Sequence, residues 1–189
     1  MTITRANAWE IVCEFVQSEK LRKHMLAVEA AMRFYAKHYQ RDPDAWGIPG
    51  LLHDFDWEIH PTLHEHPQNG APLLRERAVP EDVIRCILSH ADHTGVPREA
   101  LRERTLYACD ELTGLVTAVT LVRPGKSLHD LRVKSLKKKW RDKAFASGVN
   151  RLDIERGAED LGLELWEHVG NVISAMRSVA PSLGLGGRA

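Results

Sequence analysis

Apolar residues recur at helical spacing along nearly all of this chain, and no stretch alternates for long enough, with β-branched enrichment, to make a sheet. That period restricts the chain to an all-α fold whose helices bury their apolar stripes against one another. A first helix is expected over Arg5 to Val16. A second, capped by Ser18, runs to Tyr39 with Leu21, Met25, Val28, Met32 and Tyr35 along one side. Asp42 and Pro43 give a start signal for a third, which ends at His53-Asp54, and Glu58 to Asn69 reads as loop around Pro61 and Pro67. Further helices are expected over Gly70 to Arg77, Pro80 to Ala91, Pro97 to Val122 with a bend near Arg104, Leu131 to Ala146, Leu152 to Leu161 and Leu163 to Val179. The Gly-rich residues 183–189 read as a frayed tail, which leaves one compact helical domain over 1–182.

Charge and cysteine usage narrow the class. Lys plus Arg number 26 and Asp plus Glu 26, so no global field draws the chain to a membrane or into a stable nucleic-acid complex. The basic run Lys134 to Lys143 is the local exception: it can hold a nucleotide phosphate at a pocket mouth or lie as a solvated helix face. No stretch approaches the roughly 18 apolar residues that a membrane helix needs. Cys13, Cys86 and Cys109 form no CxxC pair and are odd in number, which argues against a disulfide framework and fits a cytoplasmic protein. The tryptophans read as packing residues, with Trp57 near enough to the chemistry below to stack on a base. His38, His60, His64, His129 and His168 are expected on the surface or in loops.

The informative positions are His24, the pair His53-Asp54, His66, His90 and Asp110. His90 continues the apolar stripe of Val83 and Ile87, His24 stands one turn from Leu21 and Val28, and Asp110 shares a stripe with Leu106, Tyr107, Gly114 and Leu121. Burying an unpaired carboxylate costs roughly several kcal/mol, so a core-facing Asp calls for a cation. A single inward histidine is an ordinary hydrogen-bonded core residue. Several of them converging with two carboxylates suit one or two divalent ions, drawn from manganese, iron, cobalt, nickel, zinc or magnesium without selecting among them.

In the order His24, then Gly50-Leu51-Leu52-His53-Asp54, then Ala108-Cys109-Asp110-Glu111-Leu112-Thr113-Gly114, the chain resembles the HD superfamily of metal-dependent phosphohydrolases over about Ser18 to Val122. It is most similar to the small predicted hydrolases of that superfamily. The resemblance implies one metal on His24, His53, Asp54 and Asp110, and a second that shares Asp54 and takes His66 and His90. It departs from better-known branches at Phe55-Asp56, where an Ile-Gly-Lys sequence would supply phosphate contacts, and it lacks a GYP motif.

The implied reaction is hydrolysis of a phosphomonoester or phosphodiester of a small metabolite or nucleotide by a metal-bound hydroxide. His93 or Glu111 can protonate the leaving group; His93 also fits a ligand or a solvated helix end, and Glu111 an acceptor that orients a histidine. Two ions against two carboxylates imply a net positive pocket that favours an anionic substrate. The same ligands fit a di-iron oxygenase, and a retained metal fits a non-catalytic nucleotide-binding module. The oligomeric state is left open.

Overall fold

A computed structural model describes residues 3–142 and 144–187. Met1 and Thr2, Lys143 of the basic run, and Arg188 and Ala189 of the expected tail lie outside the described residues. Within them the chain is all helical: α1 Arg5–Phe15, α2 Glu19–His38, α3 Pro43–Leu52, α4 Gly70–Glu76, α5 Glu81–Ser89, a 3-10 turn Asp92–Thr94, α6 Leu101–Leu121, α7 Val133–Trp140, α8 Arg151–Asp160 and α9 Leu165–Arg177. Among the described residues no helix is long and apolar enough to cross a membrane.

The starts follow from local chemistry. The side chains of Thr4, Ser18, Asp42, Asn150 and Glu164 accept hydrogen bonds from first-turn amides that a helix leaves without partners, and Pro43 occupies a first-turn position where its missing N–H costs nothing. α2 lies between two apolar clusters. Its Val28, Met32 and Tyr35 join α6 and α9 through Leu112, Leu115, Val172 and Met176, while Met25 joins α1, α3 and α5 through Val12, Leu51, Phe55 and Ile84. The buried Glu29 accepts from Arg5 at 2.7 and 2.8 Å and from Arg33 at 2.8 Å, tying α1 to α2 where apolar packing alone would leave a carboxylate stranded. α8 crosses α6 closely, because a Cβ on Gly157 would stand 2.5 Å from the Ala108 Cα. That crossing brings Asp153 alongside the α6 face that carries Tyr107 and Asp110.

Several expectations need correction. The helix expected from Pro97 begins at Leu101 and runs unbroken past Arg104, since the Glu103 carboxylate accepts from the amides of Glu99 and Ala100 and so fixes the start. Its stripe also ends early: Leu121 is exposed. The helix expected to reach Ala146 stops at Trp140, where the Arg151 guanidinium gathers the carbonyls of Trp140, Asp142 and Phe145. Residues 183–187 are no loose end. Leu183 and Leu185 are buried, and the Leu128 amide donates to the Leu185 carbonyl at 2.9 Å, because two leucines complete the α6–α9 cluster.

His168 is likewise fully buried, contrary to expectation. Its Nε2–H donates to the Ala108 carbonyl at 2.8 Å, and its Nδ1 accepts from the Tyr35 hydroxyl at 2.6 Å, so the neutral ring satisfies both neighbours. Burial pushes its pKa down to about 4, against the weaker opposing pull of the Ala108 carbonyl. An unfolded histidine titrates near 6.5, so the full stability contribution is present above about 6.5 and is lost as the pH falls through about 4, a swing of about 3 kcal/mol. Urea unfolding of wild type and His168→Gln across this window checks it. The expected result is a stability gap that narrows with acidification; a constant gap contradicts the assignment.

Candidate metal centre

Helix ends position two of the candidate ligands. α3 ends at Leu52 and α5 at Ser89, which leaves carbonyls without helical donors near each end. The next residue supplies one: His53 Nδ1–H donates to the Gly50 carbonyl at 2.9 Å, and His90 Nδ1–H to the Ile87 carbonyl. The proton on Nδ1 leaves each Nε2 as a lone pair facing inward. His66 does the same with a carboxylate, its Nδ1–H donating to Asp56 Oδ1 at 2.8 Å. His24, inside α2, turns Nδ1 toward the Thr113 hydroxyl oxygen at 3.4 Å, while that hydroxyl donates to the Asp110 carbonyl.

All four Nε2 atoms converge on Asp54. One set comprises His24 and His53 with Asp54 Oδ2 and Asp110 Oδ1: the two nitrogens are 3.2 Å apart, Asp110 lies 3.0 Å from His24 and 3.4 Å from His53, and Asp54 lies 3.6 and 3.4 Å from them. The other comprises His66, His90 and Asp54 Oδ1, with nitrogens 3.3 Å apart and Asp54 at 3.3 and 3.8 Å. The sets share Asp54 through different oxygens, and both triads His24–His53–Asp54 and Asp54–His66–His90 have the compactness of metal-holding groups.

The donor chemistry fits a cation. Once the Nδ1 protons are committed, lone pair faces lone pair at 3.2 Å in one set and 3.3 Å in the other, which is repulsive unless positive charge intervenes. Two ligands bound at about 2.1 Å sit about 3.0 Å apart at right angles and about 3.4 Å apart at the tetrahedral angle, the range most of these pairs occupy.

Titration points the same way. Burial alone would push His53 down, yet the Asp54 and Asp110 carboxylates outweigh it and hold its pKa well above the usual value. Burial likewise opposes His66, but Asp54 and Asp56 raise it to about 9. His90 is lowered, by burial and then by the charge on His53. Burial would raise both carboxylates, but the neighbouring histidines hold Asp54 and Asp110 low. The raised His53 and His66 hold protons in the absence of a cation, so a divalent ion that bound there near neutral pH would displace them. Calorimetric titration with manganese in buffers of different ionisation enthalpy is expected to show net release of about one to two protons. Buffer-independent heats would contradict this.

Asp56 is the site residue that the sequence reading passed over. It is fully buried, holds His66, and has an Oδ2 with no hydrogen-bond partner among the described residues. Gly70 permits this, because a Cβ there would stand 2.6 Å from that oxygen. The available signal was a second acid two residues past the His-Asp pair. The two expected proton donors are placed differently from one another. His93 is exposed on the 3-10 turn and donates from Nε2 to the His66 carbonyl at 2.8 Å, so it ties the His66 loop to that turn. Glu111 accepts from the Asn150 amide at 3.2 Å, and no histidine is among its hydrogen-bond partners. Burial, then the Asp110 charge, raises its carboxyl to about 7.

The candidate ligands open into a cavity of about 490 Å³ whose lining includes Trp57, His93, Tyr107, Glu111 and Asp153. Among the described residues no lysine or arginine lines it. The basic run lies elsewhere: Lys137 sits over the Trp166 ring at 4.9 Å, and Lys139 pairs with Asp142 at 3.7 Å. Asp92, Glu111 and Asp153 add carboxyl groups to the lining, with Asp92 alone closely paired, to Arg98 at 2.7 Å, so positive charge from bound cations would be confined to the end that carries the histidines.

The family model described as HD domain matches residues 21–115, just over half of the chain, and that span contains all six proposed ligands together with Asp56, His93 and Glu111. Comparison with curated proteins finds no match, and comparison with solved structures finds none.

Proposed function

Because the chain belongs to the HD domain family, we propose that it is a metal-dependent phosphohydrolase that cleaves a phosphomonoester or phosphodiester of a small metabolite or nucleotide. The family supports metal-dependent hydrolase chemistry at a general level. The observation that carries the finer reading is Asp54, whose two oxygens each face a separate pair of histidine nitrogens beside one open cavity.

Divalent cations bound at such a paired site acidify water to a nucleophile and offset charge on a phosphoryl group. His24, His53, Asp54 and Asp110 would hold one such ion, and Asp54, His66 and His90 would hold another. Asp56 keeps His66 in the tautomer that offers Nε2. His93, with its Nε2–H on the His66 carbonyl, is a positioning residue that holds the His66 loop. Glu111 lines the cavity next to Asp110 in sequence and is the group that donates a proton to the departing alkoxide. Trp57 and Tyr107 give the substrate aromatic walls.

The test is release of inorganic phosphate or of the free alcohol from a panel of phosphomonoesters and phosphodiesters, with and without chelator. Hydrolysis that chelator abolishes and manganese or another divalent ion restores is expected. Full turnover by metal-free protein contradicts the proposal, and so does an iron absorption band that responds to air without any ester cleavage.

A further inference from the structure

Beyond the candidate ligands, each polar side chain that lines the cavity already has a partner within the protein. Asp92 pairs with Arg98 at 2.7 Å, His93 donates to the His66 carbonyl at 2.8 Å, and Glu111 accepts from the Asn150 amide at 3.2 Å. The Tyr107 hydroxyl engages the Asp153 carboxylate, which also stands 3.7 Å from Arg156. What this part of the cavity leaves for an incoming molecule is apolar, chiefly Trp57 and Leu63. They are 38% and 63% exposed, and Ile59, between them in the chain, is 42% exposed, so three of the six exposed large apolar side chains among the described residues stand within 57–63. Scattered apolar residues on a surface need no explanation, but a cluster at the mouth of a cavity marks a binding surface. The exposure is not slack in the chain. Glu58 accepts from the amides of Gln17 at 2.8 Å and Ser18 at 2.7 Å, and the Gln68 side-chain amide donates to the carbonyls of Leu63 at 3.1 Å and His64 at 3.0 Å. The Trp57 ring stands edge-on to the His66 ring with centroids 4.9 Å apart, so this apolar rim begins at the end that carries the histidines.

We infer that Trp57 and Leu63 form the subsite for the leaving group, so that the substrate is the phosphate ester of an apolar alcohol, alkyl or aryl, with no second charged group. The inference rests on the phosphohydrolase reading for the phosphate end only. A hydrocarbon body asks for no hydrogen bonds, and its contact with the rim removes apolar surface of both partners from water. Because the segment is fixed before binding, little ordering is lost when the rim is covered. A nucleotide meets the opposite conditions. Its ribose hydroxyls and base edges would face groups whose bonds are already made, and a polyphosphate chain would face a wall without lysine or arginine among the described residues.

The test measures binding and turnover separately on manganese-loaded protein. Calorimetry with non-hydrolysable alkyl phosphonates, methyl to octyl, is expected to show affinity rising about two- to fourfold per added methylene until the rim is covered. A carboxylate in place of the terminal methyl of the best chain is expected to abolish the gain. The rise with length is expected to flatten in Leu63→Ser and in Trp57→Ser, with unchanged circular dichroism and manganese stoichiometry showing that each variant is folded and loaded. Leu63→Ser alone decides the question should Trp57→Ser lose metal through its contact with His66. A rise with length but no cleavage of the corresponding alkyl phosphates upholds the subsite and removes the phosphohydrolase reading. Cleavage with equal affinity at every length upholds the hydrolase and overturns the subsite. Three further results overturn the subsite: a rise that survives intact in Leu63→Ser, a nucleoside monophosphate that binds more tightly than the best alkyl phosphonate, and sedimentation of a dimer that Leu63→Ser dissociates, which would assign the rim to a contact between copies.

Discussion

Asp54→Asn is expected to strip the protein of both cations and to lower ester hydrolysis by on the order of a thousandfold or more, equivalent to about 4 kcal/mol of lost transition-state stabilisation. The reason lies in the position of one side chain. Oδ2 of Asp54 stands 3.4 to 3.6 Å from the Nε2 atoms of His53 and His24, while Oδ1 stands 3.3 to 3.8 Å from those of His66 and His90. An amide of the same shape removes the shared negative charge and turns one of those oxygens into a hydrogen-bond donor aimed at nitrogen lone pairs or a cation. Asp110→Asn is the matched control, since Asp110 approaches only His24 and His53. Metal content measured by elemental analysis is expected to be near zero in Asp54→Asn and reduced to the His66–His90 ion in Asp110→Asn. Equal loss in the two variants would mean that Asp54 is not shared.

Asp56→Asn is expected to weaken the second ion by about ten- to a hundredfold and to leave the first in place, the range found when a hydrogen-bond partner of a metal-binding histidine is altered. Among the described residues, the His66 Nδ1–H at 2.8 Å from Asp56 Oδ1 is the hydrogen bond that links Asp56 to the cluster. Asparagine retains an acceptor but loses the charge that helps to raise His66 to about 9, so fewer protons are expelled when metal binds. A two-step manganese titration checks both effects. If both steps weaken together, Asp56 supports the whole cluster and not His66 alone.

Much of this was legible in local sequence. Ser18 and Asp42-Pro43 mark helix starts with chemistry confined to four residues, and the structure begins α2 and α3 where they indicate. The six ligand candidates converge because four of the six, His24, His53, His90 and Asp110, sit on or at the ends of helices that pack together, and their inward periodicity shows in the chain. What escaped depends on contacts distant in sequence. The burial of Asp56 needs Gly70 pressed against it, the burial of His168 needs the Tyr35 hydroxyl, and Leu183 and Leu185 are held because α6 and α9 leave them a place. The acidic wall was hidden for the same reason. Asp153 reaches the cavity only because α8 lies against α6 at Gly157 and Ala108, some fifty residues apart in the chain. The basic run left two readings open in sequence, and contacts distant in the chain favour the helix face over the pocket mouth, since Lys137 and Lys139 lie against Trp166, Phe145 and Asp142.

The most direct measurement is anomalous diffraction from crystals of manganese-loaded protein. Two peaks are expected, one among the Nε2 atoms of His24 and His53 with Asp110, the other between those of His66 and His90, and each within bonding distance of a different Asp54 oxygen. A single peak that Asp54 does not touch, or metal bound only at distant surface carboxylates, would contradict the account.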